Sequence, residues 1–89
     1  MKKYRELERI IKGVANHRRI EILDLVGKEP ELSVYDIAEK LKIDFRTASQ
    51  HLTKLAIAGL VMKRNDASSV RHALTNRGKL ILQFCRTLE

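Results

Sequence analysis

Hydrophobic positions recur at helical spacing through most of this chain and switch to short extended runs near its last third. Tyr4, Leu7, Ile10, Ile11 and Val14 mark an opening amphipathic helix, and Leu80, Ile81, Phe84 and Leu88 mark a closing one. Between them, Val34, Ile37, Ala38 and Leu41 repeat every three or four residues after Ser33. Ser33 is placed to cap that helix, with Asp36 three positions on approximating a capping box. Pro30, in the Gly27 to Glu31 loop, ends the helix before it.

A further helical pattern follows within a few residues. Stepping about 100° per residue from Phe45 places Phe45, Ala48, Leu52, Leu55 and Ala56 on one side, predicted to pack. Arg46, Thr47, Gln50 and Lys54 fall on the other. Lys42, Ile43 and Asp44 form the connecting turn, where Asp44 can cap the second helix and Ile43 can staple the pair together. The glycine often found in such a turn is missing. After Gly59, residues 60–64 and 70–74 read as strands, and Asn65-Asp66-Ala67-Ser68-Ser69 between them has turn chemistry. Thr75 is placed to cap the last helix, with Gly78 in its first turn weakening helical preference. The fold class predicted is mainly α with a two-stranded β-hairpin, four helices preceding the hairpin and one following it, in a single domain over residues 1–89.

Charge sharpens this picture. The 89 residues carry a formal charge of +7, so a polyanion is the natural partner. Arg46, Lys54, Lys63, Arg64 and Arg71 concentrate in the second motif helix and the hairpin, whereas acids gather between Glu21 and Asp44. A helix with a packed apolar side and a small, polar, basic opposite side suits the major groove of duplex DNA. Gln50 can donate to and accept from adenine, and Arg46 can reach base edges. Thr47 and Lys54 suit phosphates. Ser49 lies near the apolar border, and His51 lies between the faces, as suited to a packed, backbone-bonded role as to a DNA contact. In the hairpin, Lys63, Arg64 and Arg71 could meet backbone phosphates or the minor groove. Asp66 at its tip argues against deep insertion.

The segment Thr47-Ala48-Ser49-Gln50-His51-Leu52, followed by Leu55 and Ala58-Gly59-Leu60-Val61, resembles the recognition segment of ArsR-type winged helix-turn-helix transcription regulators. Arg19-Ile20-Glu21-Ile22-Leu23 is similar to the stretch preceding that motif. The resemblance implies a winged helix-turn-helix and a double-stranded DNA partner, with Thr47, Ser49, Gln50 and His51 at positions that approach bases and phosphates. It also implies dimerisation through the terminal helices. That adds to the apolar stripes, which could fold back on the core or pair with their equivalents in a second subunit; the second is favoured and places Tyr4, Leu7, Ile11, Leu80, Ile81, Phe84 and Leu88 at a homodimer interface. Metal-sensing relatives carry two thiolates where this chain has Ser33 and Tyr35, so no soft-metal site is expected there.

Other functions have little foothold. No phosphate-binding glycine loop, nucleophile elbow or His/Cys cluster is present, so neither enzyme activity nor a cofactor is expected. His17, His51 and His72 are too scattered to suggest a metal site. Cys85 is the only cysteine, which excludes an internal disulfide and suits a cytoplasmic protein; it reads as a packed small hydrophobe. No apolar run approaches the ~20 residues that cross a bilayer. The expected function is sequence-specific DNA binding by a homodimer, with residues 45–58 in the major groove and residues 60–74 as the wing. The alternative is a winged helix used to bind a protein partner, with Ile57 in the contact patch.

Overall fold

In the computed structural model, which describes residues 1–89, seven elements follow one another in the expected order. They are α1 (Tyr4–Val14), α2 (His17–Lys28), α3 (Val34–Leu41), α4 (Phe45–Ile57), β1 (Val61–Asp66), β2 (Ser69–Leu74) and α5 (Asn76–Leu88). Local chemistry sets the helix starts. Asn16 accepts from the Arg18 and Arg19 amides, Asp44 from Thr47 N–H at 2.7 Å, and Thr75 from Gly78 N–H at 3.0 Å. At α3 both halves of the capping box form, Ser33 and Asp36 exchanging bonds of 3.1 Å. Each such cap stabilises its helix by about 1 kcal/mol.

The turn between α3 and α4 needs a left-handed residue, and Lys42 supplies it at φ 57° in place of glycine. Its N–H reaches the Ala38 and Glu39 carbonyls, and Ile43 N–H also bonds to Ala38 O. Ile43 packs partly against the core, as the staple predicts.

That core is drawn mainly from α2, α3 and α4, where Ile22, Leu23, Ile37, Leu52 and Leu55 are wholly buried together with Leu60. Ile10 and Val14 of α1, Leu74 of β2 and Leu82 of α5 close its sides. Two glycines permit the close approaches this requires. A Cβ on Gly13 would lie 2.4 Å from the Ala58 Cβ, and one on Gly78 would lie 2.0 Å from the Leu60 carbonyl oxygen. Gly78 is therefore not merely a weak helix former, because its missing side chain is what lets α5 rest on the backbone before β1.

The hairpin differs from expectation. The strands extend to Asp66 and from Ser69, pairing antiparallel from Val61↔Leu74 to Asp66↔Ser69, and only Ala67 and Ser68 form the turn. Ala67 takes a positive φ of 43°, and a two-residue turn of that hand matches strand twist, so Asn65, Asp66 and Ser69 join the ladder. The outer edge of β2 is also occupied. Glu31 N–H donates to His72 O at 2.8 Å and His72 N–H donates to Leu32 O at 3.0 Å, which tethers the loop before α3 to the hairpin.

Two histidines sit inside this framework. His72 is fully buried, its ring Nδ1 donating to Leu32 O at 2.8 Å while Nε2 has no partner. His51 is half-buried and its Nδ1 accepts from Arg19 Nε at 3.3 Å, whereas a backbone partner was the expected packed role. The same guanidinium donates to the Gly13 and Lys12 carbonyls, so Arg19 joins the end of α1 to α4. Both imidazoles are held below the ordinary histidine range. Burial is the main cause in each; the Arg19 charge reinforces it at His51, and the Leu32 carbonyl opposes it at His72.

Two stability measurements follow from this packing. Gly78→Ala raises helix propensity by ~1 kcal/mol, yet it should lower the denaturant-derived stability by about 3 kcal/mol through the clash with Leu60. Histidines with depressed pKa values take up protons more readily unfolded than folded, so acid favours unfolding. Stability should be full above about pH 6.5, the unfolded histidine value, and should decline as pH falls below it. Urea midpoints at pH 7.5 and 5.5 check this, and an unchanged or higher midpoint at the lower pH would contradict it.

Candidate nucleic-acid interface

Three side chains orient α4. Ala48, Leu52 and Leu55 have no exposed surface, so the opposite side of the helix must face solvent. Arg46, Gln50, Thr53, Lys54 and Ile57 are exposed there, with Thr47, Ser49 and His51 half-buried along its margins. At about 100° per residue, Arg46, Gln50, Thr53 and Ile57 form the central stripe. Thr53 was not singled out from the sequence, although its angle places it on this stripe. Phe45 corrects the expected pattern: grouped by angle with the packed residues, it is 56% exposed. It lies at the first residue of α4, beyond the layer that Ala48 and Leu52 reach. Ala56 is partly buried against the core, as expected.

Hydrogen bonding divides the polar residues into engaged and free. Thr47 Oγ1 donates to Asp44 Oδ2 at 2.8 Å, and its N–H is held by the same carboxylate. Those Thr47 contacts, the amide first, hold the Asp44 carboxyl below the usual carboxylate range. A phosphate, which only accepts, could take the Thr47 hydroxyl proton only by displacing Asp44. Arg46 and Lys54 have no carboxylate within ion-pair distance, so two cations and the Gln50 amide stand free on the outer face.

The hairpin arginines are differently placed from the free cations of α4. Arg64 and Arg71 face each other across the ladder. Arg64 is paired with the Glu31 carboxylate; Arg71 Nε meets Asp66 Oδ2 at 2.9 Å, and Arg71 Nη1 donates to the Glu31 carbonyl at 3.0 Å. Of the three hairpin cations singled out from the sequence, Lys63 alone has no acidic partner. Glu31 sits at φ 74°, and its second carboxylate oxygen is buried without a partner. Sequence reasoning missed Glu31 because its contacts lie 33 and 40 residues away along the chain.

The terminal helices present a second surface. Tyr4, Leu7 and Ile11 of α1 and Leu80, Phe84 and Leu88 of α5 are all at least 37% exposed. Leu7 and Ile10 share one groove with Leu80 and Ile81, and Glu6 meets Arg77 at 3.7 Å, so the two stripes lie side by side. Ile81 is the exception, half-buried and packed on the core. No three His, Cys, Asp or Glu side chains gather as a metal-holding group, and no helix is long and apolar enough to cross a membrane.

Known proteins share this arrangement. Residues 16–63, running from the start of α2 into β1, match the family model described as bacterial regulatory protein, arsR family. The transcriptional activator HlyU of Vibrio cholerae is 36% identical over 67 residues, covering 75% of this chain and 61% of HlyU. The nodulation protein NolR of Rhizobium meliloti is 36% identical over 63 residues, covering 71% of this chain and 51% of NolR. The matches thus span between half and two thirds of those relatives. Reduced HlyU superposes with a TM-score of 0.84 at 31% identity, over 98% of this chain and 92% of that one. A homodimeric winged helix-turn-helix DNA-binding domain from Mycobacterium bovis superposes with a TM-score of 0.87 at 26% identity, over 96% and 79%. With α3 and α4 as the helix-turn-helix and β1–β2 as the wing, this chain belongs to the ArsR family of bacterial regulatory proteins.

Proposed function

We propose that this chain is a sequence-specific transcription regulator that binds double-stranded DNA as a homodimer. The observation that carries the reading is the outer face of α4, where Arg46, Gln50 and Lys54 are exposed and the two cations have no acidic partner. In the major groove, Gln50 and Arg46 would contact base edges, and Lys54, Thr47 and Ser49 would meet phosphates or the edges nearby. His51, uncharged at neutral pH and held by Arg19, would position α4 and contribute little charge to DNA. Lys63 would meet the backbone beside the groove. Arg64 and Arg71 would join it by exchanging Glu31 and Asp66 for phosphate oxygens.

The homodimer reading rests on the exposed apolar stripes of α1 and α5. Pairing Tyr4, Leu7, Ile11, Leu80, Phe84 and Leu88, with Ile81 at the edge, against their equivalents would remove that surface from water at about 25 cal/mol per Å². Two-fold symmetry would then present two α4 helices to half-sites about one turn of DNA apart. The relative from M. bovis is described as homodimeric, which supports the reading. Ile57, 67% exposed on the central stripe, is the one observation favouring a protein partner instead.

Duplex binding should weaken steeply with salt, log affinity falling against log salt by about 0.9 per phosphate neutralised. Gln50→Ala should lose about 1–3 kcal/mol on the preferred site and relax choice at one base pair, whereas Lys54→Ala should weaken all duplexes alike. Binding titrations on preferred and scrambled duplexes separate the two, and no duplex binding at low salt would reject the function. Sedimentation at tens of micromolar should give twice the 10.3 kDa chain mass, and Phe84→Asp should return it to the single-chain value. A wild-type monomer would rule out the dimer.

A further inference from the structure

We infer that Phe45 reads thymine, its ring packing on the 5-methyl group of that base in the major groove. The inference rests on the DNA-binding reading above and adds a residue and a base to it.

Phe45 has no structural task that accounts for it. It belongs neither to the buried cluster nor to the partly buried residues packed on that cluster, and it is 56% exposed. Asp44, not Phe45, caps α4, and Ile43 packs the preceding turn. The paired face of α1 and α5 does not cover it either. α1 approaches α4 at Ala58 and at the Lys54 carbonyl, the nearer of them nine residues further on, and a rise of about 1.5 Å per residue separates that point from Phe45 by roughly 14 Å.

Its surroundings define what it could touch. On α4, residues four apart line up in ridges. Phe45, Ser49, Thr53 and Ile57 make one ridge, which runs from the margin of the helix onto its outer face, and Arg46, Gln50 and Lys54 make its neighbour, so an apolar-and-hydroxyl row adjoins a cation-and-amide row. Phe45 starts the first row in the helix's first turn, the part of a recognition helix that reaches base edges. A phenyl ring offers no hydrogen bond, and against the edges of guanine, cytosine or adenine it would strip water from donors and acceptors without replacing it. The thymine methyl is the one alkyl group on the major-groove edges, and it is the complement of this ring. Gln50, one ridge away, matches an adenine edge, so the two residues together favour A·T pairs in each half-site.

The test uses the whole chain and the duplex it selects from a random pool. Each thymine of the half-site is replaced in turn by deoxyuridine, which keeps every hydrogen-bonding group and removes only the methyl. Wild type should lose about fourfold in affinity at one thymine, the fold-change expected for one buried methyl group. Phe45→Ala should bind thymine and uracil equally there, while Phe45→Leu should keep part of the discrimination, and Gln50→Ala should keep it at that position. A half-site without thymine, equal wild-type affinity for thymine and uracil everywhere, or a methyl preference that survives Phe45→Ala would overturn the inference while leaving duplex binding intact. Failure of wild type to bind any duplex at low salt would instead remove the reading on which the inference stands. Because Phe45 is exposed, its variants should melt as wild type does, and an unchanged melting temperature separates lost recognition from lost folding.

Discussion

The surface of this protein is set by what α4 must bury. Ala48, Leu52 and Leu55 enter a core that also holds Ile22, Leu23, Ile37 and Leu60, all without exposed surface. A helix has one angular position that satisfies three such residues, and rotating it would open voids in a close-packed interior. Everything on the opposite side is consequently presented to solvent in a defined order. The exposed polar row of α4 is thus a mechanical result of apolar packing beneath it, held further by Arg19, which joins α1 carbonyls to His51.

The wing is fixed to that same framework by a different kind of interaction. Leu32 and Glu31 occupy the edge of β2, and His72 turns its ring inward to a carbonyl of the same segment. Hairpin and helix-turn-helix are therefore hydrogen-bonded through the loop before α3, so the wing is not a free arm. Glu31 also keeps Arg64 and Arg71 close to the body of the protein. Surface ion pairs of this kind are individually weak, about 0–1 kcal/mol, so they orient the two guanidinium groups while leaving them exchangeable. Charge on the wing is in this way partly held in reserve, whereas Arg46, Lys54 and Lys63 carry theirs unpaired.

Much of this was legible before any coordinates. Ser33 with Asp36, Asp44 and Thr75 announced three helix starts because a cap acts over three residues, a range that sequence displays directly. The outward orientation of Arg46, Gln50 and Lys54 followed from the same periodicity that buried Leu52 and Leu55. Harder to see were Lys42 in the left-handed region, a conformation such turns often give to glycine, and a two-residue turn at Ala67 that lengthened both strands. In each case backbone geometry imposed from outside the turn overrode what the turn residues prefer by themselves.

The amino-acid order alone determined the kinds and succession of elements, the helix caps, the faces of α4 and the family likeness, since all of these depend on neighbours within a few positions. Tertiary structure alone decided that Phe45 stays outside, that Gly78 must lack a side chain beneath Leu60, and that Glu31 meets Arg64 and Arg71. Those outcomes rest on contacts between segments distant along the chain or on the depth to which the core extends. Neither can be read from spacing, because both come into being only when the layers are packed.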